Sequence, residues 1–331
     1  MNNYTLQEIK NSDTKALQMM QELLVNQGIK KDSNLDYSLG IFDEEYNLIA
    51  TGSSFMNTLR CFAVDNDHQG EGLLNEIVTA LIDHQYEIGN NHFFLYTKAN
   101  SSKFFTDLGF YEIARVDDTL VFMENNSNGF DSYINNLIDE SPSLDKSAAI
   151  VMNANPFTNG HLALVEKASK ENDLVHLFIV SENLSMFTPE DRLSLVKKGA
   201  SHLNNVIIHS SGDYMISSAT FPSYFLSDEE SVIKSQAKLD VIIFEKIAKM
   251  LNITTRYVGS EPISQTTSIY NDVMTRELKC LGIKIIEMPR IYYEDKIISA
   301  SLVRSALKDN NLKLIKNIVP KTTYDFIINK K

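Results

Sequence analysis

Apolar and polar positions change their period several times along the chain, and each change marks an element. Between Thr14 and Gln27 the residues Leu17, Met20, Leu23 and Leu24 recur at helical spacing, which predicts a helix. Tyr37–Phe42 and Leu48–Thr51 read as strands on either side of a polar turn at 43–47, and Thr58–Val64 as another strand. Leu73–Ile88 sets Ile77, Leu81 and Ile82 on one helical face. A strand at His92–Thr97, a short helix at Ser101–Leu108 and a hairpin of Phe110–Ala114 with Leu120–Met123 complete a mixed α+β module.

The polar, Asn/Gly-rich stretch 124–129 interrupts these patterns, and a domain boundary is expected there, giving domains 1–127 and 128–331. Phe130, Tyr133, Ile134, Leu137 and Ile138 then follow the spacing of an amphipathic linker helix. Beyond it strand and helix alternate: Ala148–Met152, His161–Glu171, Leu174–Val180, Pro189–Gly199, Val206–His209. After a longer middle section come Lys238–Leu251, Thr255–Val258, Tyr270–Leu281, Lys284–Met288 and a terminal helix from about Ser301. Repeated βα units predict a parallel sheet with helices on both faces, so the expected class is α/β.

Composition narrows the partners. The 331 residues are 43% hydrophobic and 22% charged, with a formal net charge of −12 and two cysteines. A net negative field repels phosphate backbones, so nucleic acid is not an expected partner. No apolar run reaches the roughly 18–20 residues of a membrane span, and MNNYTLQEIK lacks the pattern of a secretory signal. The expected location is therefore cytoplasmic, without a membrane partner. Cys61 and Cys280 are too far apart in sequence for a zinc motif and are expected as core thiols. His68, His84, His92, His176, His202 and His209 show no metal-ligand spacing and read as structural or exposed.

The candidate chemistry lies where the run Ala148–Met152 stops and Asn153-Ala154-Asn155-Pro156-Phe157-Thr158-Asn159-Gly160-His161 leads into a helix. In an open parallel sheet ligands sit beyond the carboxyl ends of strands. A helix beginning near His161 offers unpaired N–H groups and a positive dipole end to phosphate. Gly160 would let a phosphate approach the backbone, and His161 could stabilise charge developing in a displacement. A bare T-x-G-H is equally an ordinary turn. Neither G-x-G-x-x-G nor G-x-x-x-x-G-K-S/T occurs. The second stretch is Ile298-Ser299-Ala300-Ser301-Leu302-Val303-Arg304, where Ser299 and Ser301 are natural helix caps and Arg304 has a fork suited to phosphate oxygens.

Together the two stretches resemble the nucleotidylyltransferase signatures H/T-x-G-H and I-S-x-S-x-x-R. The segments 151–161, Ser211–Leu226 and Val258–Met274 are more specifically similar to the citrate lyase ligase family, a resemblance covering nearly the whole chain. It implies a GNAT-type acetyltransferase-like N-terminal module followed by a Rossmann-like nucleotidylyltransferase domain. Gln69 and Gly72 match the acyl-CoA pyrophosphate loop of GNAT proteins, with Leu74 where Gly or Ala is usual, and Gly109-Phe110 closes the later GNAT signature. The implied activity is an AMP-forming, acetate-dependent acid–thiol ligation. Acetate and ATP give acetyl-adenylate and pyrophosphate, and acetyl then passes to the thiol of a phosphoribosyl-dephospho-CoA group on the lyase's acyl carrier subunit.

On this resemblance His161 and Arg304 are the catalytic residues. Asn155, Pro156, Phe157, Thr158, Gly160, Gly259, Glu261, Ser299 and Ser301 join them around ATP, and Gln69 and Gly72 serve the CoA-like arm. Mg²⁺ is expected to arrive with ATP, without identifiable protein ligands and without a permanently bound cofactor. Arg192, Asp213, the hydroxyl-rich 217–220 and Lys296 are weaker candidates, each also readable as ordinary surface. Two other readings stay open: a nucleotidylyltransferase acting on a phosphorylated metabolite, and a non-catalytic regulator sensing acyl-CoA.

Overall fold

The computed structural model describes residues 4–181, 186–215, 221, 228–260 and 265–329. It divides into two compact units, Met1–Phe130 with Pro222–Ser235, and Asp131–Phe221 with Gln236–Lys331.

The first unit contains β1 (Thr5–Glu8), α1 (Thr14–Asn26), β2 (Tyr37–Phe42), β3 (Leu48–Phe55), β4 (Thr58–Val64), α2 (Leu73–Glu87), β5 (Phe94–Lys98), α3 (Ser102–Asp107), β6 (Tyr111–Val116) and β7 (Leu120–Glu124). Asp13 caps α1 by accepting the Ala16 N–H, and Met20, Leu23 and Leu24 are buried on its inner face. Among the described residues the strands form one sheet in the order β1-β2-β3-β4-β5-β7-β6. β4 and β5 pair in parallel only at Thr58 with Phe94 and Leu59 with Leu95. Beyond that register the two strands are no longer paired, and a cleft of about 650 Å³ is lined there by residues of both.

The C-terminal part carries α4 (Gly129–Asp139), β8 (Ser147–Met152), α5 (Asn159–Glu171), β9 (Val175–Ile179), α6 (Pro189–Gly199), β10 (Val206–Ser210), α7 (Glu229–Met250), β11 (Ile253–Gly259), α8 (Gln265–Cys280) and β12 (Lys284–Met288). A small hairpin, β13 (Tyr292–Tyr293) and β14 (Lys296–Ile297), precedes α9 (Ala300–Lys308), α10 (Leu312–Ile318) and α11 (Lys321–Asn329). Among the described residues the larger sheet runs β10-β9-β8-β11-β12 and every neighbouring pair is parallel. Side chains alternate across it. Ala148, Ile150, Met152 and Tyr257 share a core with Leu164 and Val165 of α5, Leu195 of α6 and Val303 of α9. Arg256, on the opposite face of β11, bonds Asp240 of α7, which also accepts the Tyr270 hydroxyl of α8. Helices thus cover both faces.

The strand order reverses direction between β8 and β11, which is the topological switch point where such sheets bind ligands. Several elements differ from the sequence reading; β3 runs on to Phe55 and α8 starts at Gln265 rather than Tyr270. α7 starts at Glu229 rather than Lys238, because its first turns are polar and give no apolar period. β13 and β14 are two residues each, too short for any alternation to register. Cys61 is buried as expected, but Cys280, at the last turn of α8, is exposed. No helix among the described residues is long and apolar enough to cross a membrane.

Candidate active site

At the carboxyl end of β8 the motif residues form the start of α5. Thr158 is the N-cap: its Oγ1 accepts the His161 N–H at 3.3 Å, while His161 Nδ1 accepts the Thr158 N–H at 3.1 Å. This is a reciprocal capping box with histidine where glutamate is usual. The bond has a chemical consequence. With Nδ1 accepting a backbone N–H, the neutral ring carries its proton on Nε2. Burial, reinforced by the positive charge of Arg290, pushes the imidazole down to about 4. At neutral pH it is an uncharged Nε2–H donor.

A cavity of about 180 Å³ opens at the imidazole. It is lined by Thr158, Gly160, His161, Gly259, Arg290 and Ile298, with apolar walls that include Met152 and Leu164. Gly160 explains how the two motifs meet. A Cβ at this position would stand 3.2 Å from the carbonyl oxygen of Ile298, the residue before Ser299. The room at Gly160 therefore admits protein backbone, a use the sequence did not disclose. Ile298 is held in turn by its N–H donating to the Ile291 carbonyl at 3.0 Å across the base of the β13–β14 hairpin.

The second motif caps α9. Ser299 Oγ accepts the Leu302 N–H at 3.1 Å. Arg304 reaches back to the first motif, donating to the Asn155 carbonyl at 2.6 Å and to Ser301 Oγ at 3.0 Å. The N-termini of α5 and α9, both positive dipole ends, thus come together at the switch point. Asn155 Oδ1 also accepts the Phe187 N–H at 3.3 Å, so this loop is fixed from both sides.

Several expected residues stand elsewhere. Phe157 is wholly buried in the core, and a Cβ on Gly199 of α6 would come within 2.7 Å of its ring. Its side chain shapes the loop from beneath, and Pro156 beside it is also buried. Arg192 faces neither solvent nor an open site. It is buried and donates to the Asn153 carbonyl at 3.0 Å and to the Asn153 side chain. Asp213 and Lys296 are exposed. Glu261 and residues 217–220 lie outside the described residues.

Arg290 is the residue that sequence reasoning missed. Its Nε donates to the Ser260 carbonyl and its backbone N–H to Ser260 Oγ at 3.2 Å. The only sequence signal was its place two residues after a strand end, which is common to many surface arginines.

In the first unit, Gln69 and Gly72 both line the 650 Å³ cleft, with Phe62, Tyr96, Lys98 and Phe104 among the other walls. Gly72 is the N-cap of α2 at φ +84°, a left-handed conformation that favours glycine. The remaining histidines are engaged in structure. His176 Nδ1 lies 3.0 Å from His209 Nε2 in the buried β9–β10 layer, and His209 Nδ1 lies 3.1 Å from Glu140.

Known proteins resemble this chain over its C-terminal part and over nearly its whole length. The citrate lyase ligase C-terminal domain model matches residues 147–327. A citrate (pro-3S)-lyase ligase from Escherichia coli is 34% identical over 327 residues, covering 97% of this chain and 93% of its own. One from Klebsiella pneumoniae is 37% identical over 293 residues, 87% of this chain and 86% of its own. A phosphopantetheine adenylyltransferase from Nautilia profundicola is 27% identical over 157 residues, 47% of this chain and 82% of its own.

Proposed function

Since the chain belongs to the citrate lyase ligase family, we propose that it activates a citrate lyase by acetylating the carrier thiol through acetyl-adenylate. A carboxylate oxygen of acetate attacks the α-phosphorus of ATP. The bond to the β-phosphate oxygen breaks, and its electron pair leaves on pyrophosphate. The thiolate of the phosphoribosyl-dephospho-CoA group on the lyase's acyl carrier subunit then attacks the acetyl carbon, and AMP departs. Adenylation is needed because a carboxylate has no leaving group of its own.

One observation carries this reading: His161 lines a cavity together with Thr158 and Gly160 of the first motif and Ile298, the first residue of the second, where the N-termini of α5 and α9 meet. Two anions must meet there, so the chain's task is to position them and stabilise added negative charge. His161 donates to the phosphoryl oxygen. Thr158 fixes its tautomer, and Gly160 lets Ile298 close the wall. Ser299, Ser301 and Arg304 hold the β- and γ-phosphates, with Arg304 anchored on Asn155. Gly259 forms the floor at β11. The partner is the carrier subunit, whose CoA-like arm would enter the cleft at Gln69 and Gly72. Mg²⁺ would accompany the triphosphate. Among the described residues no group of three or more His, Cys, Asp or Glu could hold a metal ion, so no protein ligand is assigned to it.

The similarity to an adenylyltransferase favours a second reading, transfer of AMP onto a phosphorylated metabolite. Acid-dependent exchange of labelled pyrophosphate into ATP separates the two, with acetate compared against propionate and citrate. Exchange with acetate, and AMP release once the deacetylated carrier is added, is the expected result. No exchange with any acid, with carrier present or absent, overturns the ligase reading.

A further inference from the structure

We propose that Arg290 is a further catalytic residue of this site, laying a fixed guanidinium against the α-phosphoryl group opposite the His161 ring. The inference rests on the adenylation reading above and adds to it the group that lets one anion attack another.

Three observations support it. Among the described residues Arg290 is the one formally charged side chain lining the 180 Å³ cavity, whereas Arg304, Ser299 and Ser301 are not part of that lining. The cation that lines the cavity with His161 is thus not the arginine of the sequence motif, which is tied to Asn155 and Ser301. Second, the guanidinium is preorganised. Ser260 takes its Nε–H and its backbone N–H, and the Ser260 N–H in turn donates to the Met288 carbonyl at 2.9 Å. This ties the ends of β11 and β12 together. Third, the group lies across bare backbone: a Cβ at Gly259 would touch its Cζ at 3.7 Å.

The chemistry calls for such a cation. Acetate approaches a triphosphate that carries several negative charges, and the repulsion is strong in a water-poor cavity. As the new O–P bond forms and the Pα–O–Pβ bond breaks, charge spreads over the equatorial oxygens of phosphorus. A planar fork can meet two of those oxygens at once, which a lysine cannot. The neutral His161 then serves as a directional donor while Arg290 supplies the charge. Arg290 also depresses the imidazole's affinity for a proton, so the two roles are linked.

The test uses the full-length protein and acetate-dependent pyrophosphate exchange, followed against pH for wild type, Arg290→Met and Arg290→Lys. Among the described residues the charged group that acts on His161 is Arg290, from the segment after β12, while Arg304 of α9 is bonded to Asn155 and Ser301. Arg290→Met is expected to slow exchange about 100-fold, with its melting temperature within a few degrees of wild type and ATP affinity reduced less than about tenfold. Its acid limb should shift toward higher pH as His161 is relieved of a neighbouring cation. Arg290→Lys should keep the wild-type acid limb and recover part of the rate. If Arg290→Met exchanges within about threefold of wild type with an unmoved pH profile while His161→Ala is inactive, the proposal fails and the adenylation reading stands. A wild type that exchanges with no acid brings down both.

Discussion

Gly160→Ala adds one methyl group at the point where the two motifs touch. The new Cβ would sit 3.2 Å from the Ile298 carbonyl oxygen, so one side must retreat by a few tenths of an ångström. Ile298 is 5% exposed and hydrogen-bonded across the hairpin base, so the start of α5 has to yield. The cost in stability is about 1 kcal/mol of overpacking, offset by up to about 1 kcal/mol from replacing glycine within a helix. The melting temperature should therefore move by no more than a few degrees. Catalysis is less forgiving, because His161 follows immediately and its ring moves with the helix end. A misplacement of about 1 Å can cost 100-fold, and a few tenths should cost about tenfold. Acetate-dependent pyrophosphate exchange beside thermal melting measures both. Gly160→Val, whose branches lie closer still to the carbonyl, should lose at least about 100-fold. Full exchange in Gly160→Ala with an unchanged melt would refute the claim that this contact sets the geometry of the site.

Further outcomes follow from the same contacts. His161→Ala should lower exchange by about 100- to 1000-fold while the circular dichroism spectrum stays that of the folded protein. Phe157→Ala should lower unfolding free energy by about 3–5 kcal/mol in chemical denaturation, whereas Phe157→Leu should keep most of the exchange rate, as fits a core role. Acid should weaken the fold through buried imidazoles: His161 and His176 are each pushed down to about 4 from an ordinary 6.5, and His209 is also lowered. Below pH 6.5 the unfolded chain binds these protons first, so stability should fall as pH drops from about 6.5 to about 4. Urea midpoints that stay flat across that range would contradict the burial of these rings.

Much of the architecture was legible because burial in this protein is periodic. Alternating βα units in the C-terminal part, and the helical faces of α1 and α2, are repeated patterns that a single sequence records. The boundaries that slipped lacked such a record. The polar first turns of α7 and the two-residue strands β13 and β14 hold too few apolar positions to reveal a period. The motifs were legible as residue types, yet their division of labour was not. Thr158 pairs with the neighbouring imidazole, Phe157 fills the core and Arg192 is buried against Asn153. Each could in sequence stand near a ligand, because proximity along the chain does not say which way a side chain turns.

The amino-acid sequence by itself determined the βα alternation, the placing of T-x-G-H at a strand end and the presence of a second capped segment carrying Arg304. Those are local properties, set by side-chain pattern, capping chemistry and helix dipoles within a few residues. Only the tertiary structure decided that Gly160 lies against Ile298, that Arg290 helps to keep the His161 imidazole uncharged, and that Arg290 shares its cavity. Those facts depend on residues about 130 positions apart in the chain, brought together by the reversal of strand order between β8 and β11. Distance through space sets electrostatics and exclusion of water, and sequence separation does not encode it.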